Sequence, residues 1–126
     1  MERRTSIVAK VREVGGPSLL SISTITLAEL HYGIRIMPEG RKKTKRLDNL
    51  KQMLGTGIDV RPFSAAAAEV YSEAGATLRE AGIAFKFQDL AIASVAIAEN
   101  KTLASNDSFF EHVRRRCGLR FERWEP

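Results

Sequence analysis

The segment that most constrains the fold is QDLAIASVAIA (88–98), an apolar run with a carboxylate near its front. Apolar side chains occupy almost every helical position of this run, which is typical of a helix buried on all sides. A short strand-like run, TLAS (102–105), follows it closely. Other elements must therefore cover this helix, as they do in a layered α/β domain.

The spacing of apolar residues alternates between helix and strand periods along the chain, which predicts an α/β fold with a mostly parallel sheet. The length of 126 residues suits one domain, so we expect a single domain over residues 1–126. An interruption is expected at Gly33, and Ser64 and Gly82 are the predicted caps of one helix. We predict helices over about 5–14, 24–37, 41–54, 64–81, 88–98 and 108–113, and strands over 18–23, 58–63, 102–105 and 119–124.

Three carboxylates, Glu29, Asp89 and Asp107, stand in apolar or small-residue segments. An ionised carboxylate in such surroundings is costly without a partner, a hydrogen-bond network or a metal ion. Two of them follow predicted strands and the third begins the buried helix, so all three are expected at the carboxyl edge of the sheet. Because Mg²⁺ and Mn²⁺ prefer carboxylate and water oxygens, a divalent-cation site is predicted at this edge.

Each carboxylate also has a simpler explanation that the sequence leaves open. Glu29 could be a solvated acid early in a helix, where the helix dipole favours it. Asp89 could cap the buried helix through backbone N–H groups, a role that is compatible with metal binding. Asp107 could be a turn or N-cap residue following Asn106.

The net charge of +5 makes a polyanionic partner plausible. Basic clusters can neutralise phosphates and give salt-sensitive binding to nucleic acid. A solvated helix face explains the same clusters equally well, and charge does not choose between RNA and DNA. The candidate nucleic-acid contacts are Arg41, Lys42, Lys43, Lys86, Arg114, Arg115 and Arg116.

Several classes of protein are disfavoured by composition. No apolar run approaches the roughly 20 residues of a membrane span, and no signal peptide is evident. The single cysteine, Cys117, allows no intramolecular disulfide, which fits a cytoplasmic setting. The arginines beside Cys117 should favour its thiolate, but no base supports a nucleophilic role. Two histidines, His31 and His112, argue against a zinc centre and are expected at the surface.

Aromatic residues could serve either packing or nucleic-acid stacking. Tyr32, Tyr71 and Trp124 stand at apolar spacing, which favours packing in the core or an interface over stacking on bases. Phe85 and Phe87 precede the buried helix in the segment GIAFKFQDL. They either line a groove or pack under the helix, and the sequence favours neither.

Three short motifs, taken together and in this order, resemble the PIN-domain family, particularly the toxin ribonucleases of prokaryotic VapBC-type modules. The resemblance extends over residues 7–124. The motifs are Ser-x-x-Thr-x-x-Glu at Ser23, Thr26 and Glu29, Asp-Leu-x-Ile-Ala from Asp89, and Ser-x-Asp-x-x-Phe at Ser105, Asp107 and Phe110.

The resemblance implies a PIN-like three-layer fold, in which helices flank a mostly parallel central sheet. It also implies an Mg²⁺- or Mn²⁺-dependent endoribonuclease, a hydrolase that acts in the cytoplasm. The implied partners are an RNA substrate, a cognate antitoxin protein that neutralises the enzyme, and a second copy in a homodimer or larger assembly. The implied metal-binding and catalytic residues are Glu29, Asp89 and Asp107, with Ser23, Thr26 and Ser105 in support.

The chain departs from the family at its front. Members of the family usually begin with an apolar strand that ends in Asp-Thr or Asp-Ser, and this sequence shows no equivalent. We therefore expect the first strand and the first acid to be missing, and the exposed sheet edge to invite pairing with another chain. Two functions are then open: a metal-dependent toxin-type endoribonuclease, or a weakened PIN-like module that binds antitoxin or RNA without efficient cleavage.

Overall fold

A computed structural model describes residues 21–123, which form four strands and five helices. The predicted helix over 5–14, the first part of the 18–23 strand and Trp124 lie outside these residues. In this range no helix is both long and apolar enough to cross a membrane. The elements are β1 (Ser21–Ser23), α1 (Thr24–Arg35), α2 (Arg41–Gly55), β2 (Asp59–Arg61), α3 (Ala65–Glu80), α4 (Phe87–Ala98), β3 (Thr102–Ser105), α5 (Phe109–Cys117) and β4 (Arg120–Arg123).

The strands form two parallel pairs. β1 lies beside β2 with Ser21 opposite Asp59, and β3 lies beside β4 with Thr102 opposite Arg120. The predicted parallel pairing is confirmed, and over residues 21–123 it takes the form of two two-stranded sheets. A cleft between β1 and β3 separates the sheets, and α4 contributes to its lining.

Helix α4 is the buried centre of the fold, as its apolar sequence predicts. All of its side chains from Leu90 to Ala96 are buried, and the helix packs against α3, β1 and β3. Ser94 is the one polar side chain in this stretch, and its hydroxyl donates to the Leu90 carbonyl at 2.7 Å. Its burial therefore leaves no unpaired hydroxyl in the core.

Two apolar clusters lie on opposite faces of β3. Because successive strand residues point to opposite faces, Ala104 joins one cluster and Leu103 packs against the other. The first cluster is built mainly from β1, α1 and α2, and the second from α3, α4 and α5. Buried members of the first include Ile22, Leu30, Leu50 and Met53, and those of the second include Leu78, Leu90, Phe110 and Val113.

Helix α3 begins and ends at the predicted residues. The Ser64 hydroxyl accepts a hydrogen bond from the Ala67 N–H at 3.2 Å, which is an N-cap interaction. Gly82 has a φ of +75°, a left-handed conformation that glycine adopts readily just after a helix. Both cap residues predicted from the sequence are therefore confirmed.

Two helices are longer or more regular than expected. α1 runs through Gly33 without a break. Burial of Leu30 and Ile34 on either side outweighs the roughly 1 kcal/mol that glycine costs inside a helix. α5 continues to Cys117 instead of ending at 113, because cations in a last turn are favoured by the helix dipole. Gly118, with a φ of +74°, then ends it.

Candidate active site

The candidate site begins where β1 passes into α1. Ser23 and Thr26 are buried there. The Ser23 hydroxyl accepts a hydrogen bond from the Thr26 N–H at 3.0 Å and donates one to Thr26 Oγ1 at 3.2 Å. This N-cap fixes the first turn of α1 and so the point from which Glu29 extends. A direct role of the two hydroxyls in orienting an acid stays a prediction.

Glu29 lies in the second turn of α1 and is half-buried. The helix dipole acts mainly within the first turn, so it does not account for an acid at this position. The side chain lines a surface groove that also includes Gln88, in the first turn of α4. Glu29 therefore lies beside the start of α4. This α1 groove is lined by Glu29, Tyr32, Gly33, Ile36, Met37, Pro38 and Gln88.

Asp89 lies in the first turn of α4 and is half-buried. The N-cap position is held by Lys86, so Asp89 is favoured by the helix dipole but is not the cap residue. α4 connects to β3 through a tight turn, in which the Lys101 N–H donates to the Ala96 carbonyl at 2.8 Å. Because the two elements run in opposite directions, Asp89 lies at the end of the molecule where β3 finishes.

Asp107 follows β3 in a compact turn. The buried Ser105 hydroxyl accepts a hydrogen bond from the Asp107 N–H at 3.1 Å. One carboxylate oxygen of Asp107 accepts another from the Phe109 N–H at 3.0 Å. The turn role that the sequence left open for Asp107 is therefore confirmed. Ser105 supports Asp107 by holding its backbone.

The three carboxylates are all half-buried. Their oxygens are suitable donors for Mg²⁺ or Mn²⁺. Between residues 21 and 123, no three Asp, Glu, His or Cys side chains are grouped so that they could hold a metal ion together. The ligand set Glu29, Asp89 and Asp107 therefore stays a prediction.

Aromatic rings pack beside the start of α4. Phe85 lies against α3, where its Cζ is 3.4 Å from the position that a Cβ on Gly75 would take. Tyr71 contacts both neighbours, with ring centroids 6.1 Å from Phe85 and 5.4 Å from Phe87. Packing is therefore confirmed for Tyr71 and Phe85. Phe87 packs on one side and leaves 52% of its surface exposed.

Tyr32 is not in the core. It is 66% exposed, and Ile36 in the same groove is 63% exposed. The core alternative is wrong for Tyr32, because Leu30 and Ile34 form the buried stripe of α1 and Tyr32 stands between them on the opposite side. Packing of Tyr32 in an interface stays a prediction. The exposure of Ile36 was not predicted. Ile36 follows Tyr32 by four positions, so the two side chains lie on the same side of α1, and this spacing could have indicated it.

The basic residues predicted to contact nucleic acid lie on three elements. Lys86 is exposed at the start of α4, and Arg41 and Lys42 are exposed in the first turn of α2. Lys43 Nζ contacts Glu39 Oε1 at 2.8 Å. The remaining three, Arg114, Arg115 and Arg116, are exposed in the last turn of α5.

Two of the α5 arginines are paired within their own helix. Arg114 hydrogen-bonds Glu111 through Nε at 2.8 Å and also through Nη2, and Arg115 Nε lies 3.8 Å from the same carboxylate. The hydrogen bond from Arg114 is the main reason that the pKa of Glu111 lies below its ordinary value; burial opposes this shift, and nearby positive charge adds to it. Glu111 thus neutralises part of the positive charge of the three arginines of α5.

Arg61 carries an ion pair that the sequence analysis did not identify. At the end of β2, it contacts Glu99 at 3.1 Å and Asp59 at 3.7 Å. The Glu99 hydrogen bond is the main reason that the pKa of Arg61 is raised. Glu99 stands 38 positions later in the chain, so no local pattern could have indicated the pair. It joins β2 to the end of α4.

Cys117 and the histidines offer no additional catalytic group. Cys117 is half-buried, and desolvation raises the pKa of its thiol more than Arg116 lowers it. The expectation that neighbouring arginines favour the thiolate is therefore wrong, because burial is the larger influence. His31 and His112 are exposed, as expected.

Comparison with known proteins connects this fold to one family. A family model of the PIN domain matches residues 2–116. The chain is 35% identical over 106 residues to Ribonuclease VapC2 of Rickettsia felis, covering 84% of this chain and 75% of that protein. It is 36% identical over 91 residues to the plasmid stability protein StbB of Pseudomonas syringae pv. tomato, covering 71% and 66% of the two chains.

The chain is also similar to a solved structure from Rickettsia felis. The chain resembles the crystal structure of VapBC2 from Rickettsia felis bound to a DNA fragment from its promoter, with a TM-score of 0.69 and 35% identity. The match covers 83% of this chain and 74% of that one.

Proposed function

The chain belongs to the PIN-domain family, and from this membership we propose that it is a toxin-type endoribonuclease that hydrolyses RNA phosphodiester bonds. The predicted resemblance and the PIN-like fold are thereby confirmed. The activity is supported by similarity to a relative named as a ribonuclease. The structural observation that supports the proposal is that Glu29, Asp89 and Asp107 are each half-buried, in the second turn of α1, the first turn of α4 and the turn after β3.

We propose that Glu29, Asp89 and Asp107 hold a divalent cation, Mg²⁺ or Mn²⁺. Such a cation, when bound, polarises a phosphate oxygen and lowers the pKa of a coordinated water. Because carboxylates must be ionised to bind it, cation affinity should fall as these acids become protonated. The Ser23 cap and the Ser105 turn hold the backbone from which Glu29 and Asp107 extend.

A second candidate is a PIN-like module that binds RNA or an antitoxin with little cleavage. It is favoured by one observation, namely that residues 21–123 contain no group of three side chains able to hold a cation. A loosely assembled site would bind the cation weakly and cleave slowly. Its groove and basic surfaces would still be available for binding.

The proposed protein partner is an antitoxin that covers the α1 groove. The exposed Tyr32 and Ile36 give this groove an apolar surface of the kind that marks interaction sites. The similar Rickettsia felis protein was solved as a VapBC2 complex, which supports a partner of this class. We further propose that the chain forms a homodimer or larger assembly and acts in the cytoplasm, where RNA is available.

Cleavage of labelled RNA with Mn²⁺, compared with the same reaction in EDTA, tests the proposed activity. Asp89→Asn should reduce cleavage at least about tenfold, because even residues that only surround a metal site typically contribute that much. Asp48→Asn is the matched control, since Asp48 is an exposed acid on α2. Cleavage that survives Asp89→Asn or EDTA would contradict the mechanism, and RNA binding without cleavage would favour the second candidate.

A further inference from the structure

The two basic clusters of the chain have opposite relations to their own helices. In α5, Arg114, Arg115 and Arg116 occupy the last turn, where the helix dipole favours cations, and two of them contact Glu111. In α2, the basic residues occupy the first turn, where the dipole disfavours them, and no acid is present in that turn. The α5 cluster therefore stabilises its helix, and the α2 cluster weakens its helix.

Like-charge neighbours add to the electrostatic strain in α2. Arg41 and Lys45 are separated by four positions, as are Lys42 and Arg46, and such pairs of equal charge destabilise a helix. The preceding Gly40 makes no side-chain cap hydrogen bond. Only Lys43 is relieved locally, by the carboxylate of Glu39. Residues that oppose their own fold in this way are expected mainly where function requires them.

Three of the four remaining cations between residues 41 and 46 form one surface, which we name the α2 basic face: Arg41, Lys42 and Lys45. All three are exposed, whereas Leu50, about half a turn around the helix from Arg41, is buried in the core. No acidic side chain between residues 21 and 123 forms an ion pair with any of the three. Their charge is therefore available to an external anion.

The groove that contains Glu29 extends to Pro38, three positions before Arg41. Lys43 Nζ lies 3.4 Å from the carbonyl of Arg35, the last residue of α1, and so holds the start of α2 against the end of α1. Glu29 precedes Ile36 by seven residues, which is about 10 Å along a helix. Because Ile36, Met37 and Pro38 line the same groove as Glu29, the groove extends from the carboxylate to the segment that precedes the start of α2.

We propose that the α2 basic face binds successive phosphates of a single RNA strand and leads that strand into the α1 groove. The inference rests on the proposed ribonuclease function, since it names the surface that holds the substrate. Phosphate binding would replace the repulsion among Arg41, Lys42 and Lys45 by attraction, and it would position the backbone without reading its sequence. The α5 arginines serve the stability of their helix and make the smaller contribution to RNA affinity.

The test compares two variants that lose the same charge. Arg41→Gln, Lys42→Gln and Lys45→Gln are combined in one, and Arg114→Gln, Arg115→Gln and Arg116→Gln in the other. Glutamine keeps a similar length and helix propensity. Binding of a short fluorescent single-stranded RNA is measured in EDTA over a series of salt concentrations, and the Tm of each variant is recorded.

We expect the α2 variant to bind RNA more weakly and with a smaller salt dependence. Each phosphate contact on a single strand contributes about 0.7 to the slope of log K against log salt, so loss of three contacts lowers it by about 2. The Tm of this variant should be unchanged or higher. The α5 variant should keep most of the slope and have a lower Tm.

Three results would overturn the proposal: no measurable RNA binding by the wild-type chain, an unchanged slope in the α2 variant, or an equal loss in both variants. A lowered Tm in the α2 variant would refute the electrostatic argument behind it. Cleavage with Mn²⁺ is assayed separately. RNA binding through the α2 basic face without cleavage would defeat the ribonuclease proposal alone, and cleavage with an unchanged slope would defeat this inference alone.

Discussion

At the scale of single residues, Asp107 combines a task in the fold with a proposed task in catalysis. One of its carboxylate oxygens accepts a hydrogen bond from the Phe109 N–H, and its own N–H donates one to the Ser105 hydroxyl. Asparagine keeps a side-chain oxygen that can accept the first hydrogen bond but lacks the negative charge. Alanine loses both. The two substitutions therefore separate the turn from the cation site.

We predict that Asp107→Asn keeps nearly wild-type stability and that Asp107→Ala loses about 1 kcal/mol, the usual effect of removing a side-chain cap. Both should bind Mn²⁺ more weakly than the wild type, because the carboxylate is gone. Urea unfolding measures the first effect and titration calorimetry the second. Unaltered Mn²⁺ binding in both variants would exclude Asp107 from the cation site.

The sequence indicated which acids are half-buried better than it indicated which aromatic side chains are exposed. Glu29 and Asp89 could be found because an acid in an apolar segment is unusual wherever the segment lies. The exposure of Tyr32 depends on which side of α1 meets the core, and periodicity alone did not assign that side. The thiol of Cys117 was misjudged because its burial depends on tertiary packing, whereas the neighbouring arginines are visible in the sequence.

At the scale of elements, prediction was best where one local pattern dominates. The buried helix α4 was found within one residue because its apolar sequence allows few alternatives. α5 was predicted too short because its last turn is stabilised by charge rather than by apolar spacing. Arg114 and Arg115 contact Glu111 from that turn, and the turn also places cations where the helix dipole favours them.

The pairing of Glu111 predicts a pH-dependent contribution of α5 to stability. Because the folded-state pKa lies below the ordinary value of 4.5, the contribution is present above pH 4.5 and is lost as the pH falls through the folded-state pKa. Glu111→Gln should therefore destabilise the protein at neutral pH and have little effect in acid. Urea unfolding of both proteins across this range measures the difference, and a difference that persists in acid would contradict the assignment.

At the scale of the whole molecule, β3 connects two apolar clusters that lie on its opposite faces. The parallel direction of the strands followed from the alternation of helices and strands in the sequence. Their division into two pairs over residues 21–123 did not, since local spacing carries no information on which strands become neighbours. The Arg61–Glu99 ion pair was invisible for the same reason, because it too joins distant parts of the chain.

Because β3 contributes Ala104 to one cluster and Leu103 to the other, we predict that the two clusters unfold together. Leu90→Ala in one cluster and Met53→Ala in the other should each lose about 2–5 kcal/mol, as expected for fully buried side chains. Each variant should still show one transition, coincident by circular dichroism and by fluorescence. Two separate transitions in either variant would show that the clusters are independent.

The two strand pairs also differ in how much chain each must close. Thr102 meets Arg120 after 18 positions, whereas Ser21 meets Asp59 after 38. Doubling a loop adds about 0.6 kcal/mol of closure entropy, so the β3–α5–β4 unit has the entropic advantage during folding. We therefore expect the β3–α5–β4 unit to form first during folding and to be the folding nucleus. Val113→Ala should then slow refolding, and Leu50→Ala should mainly speed unfolding.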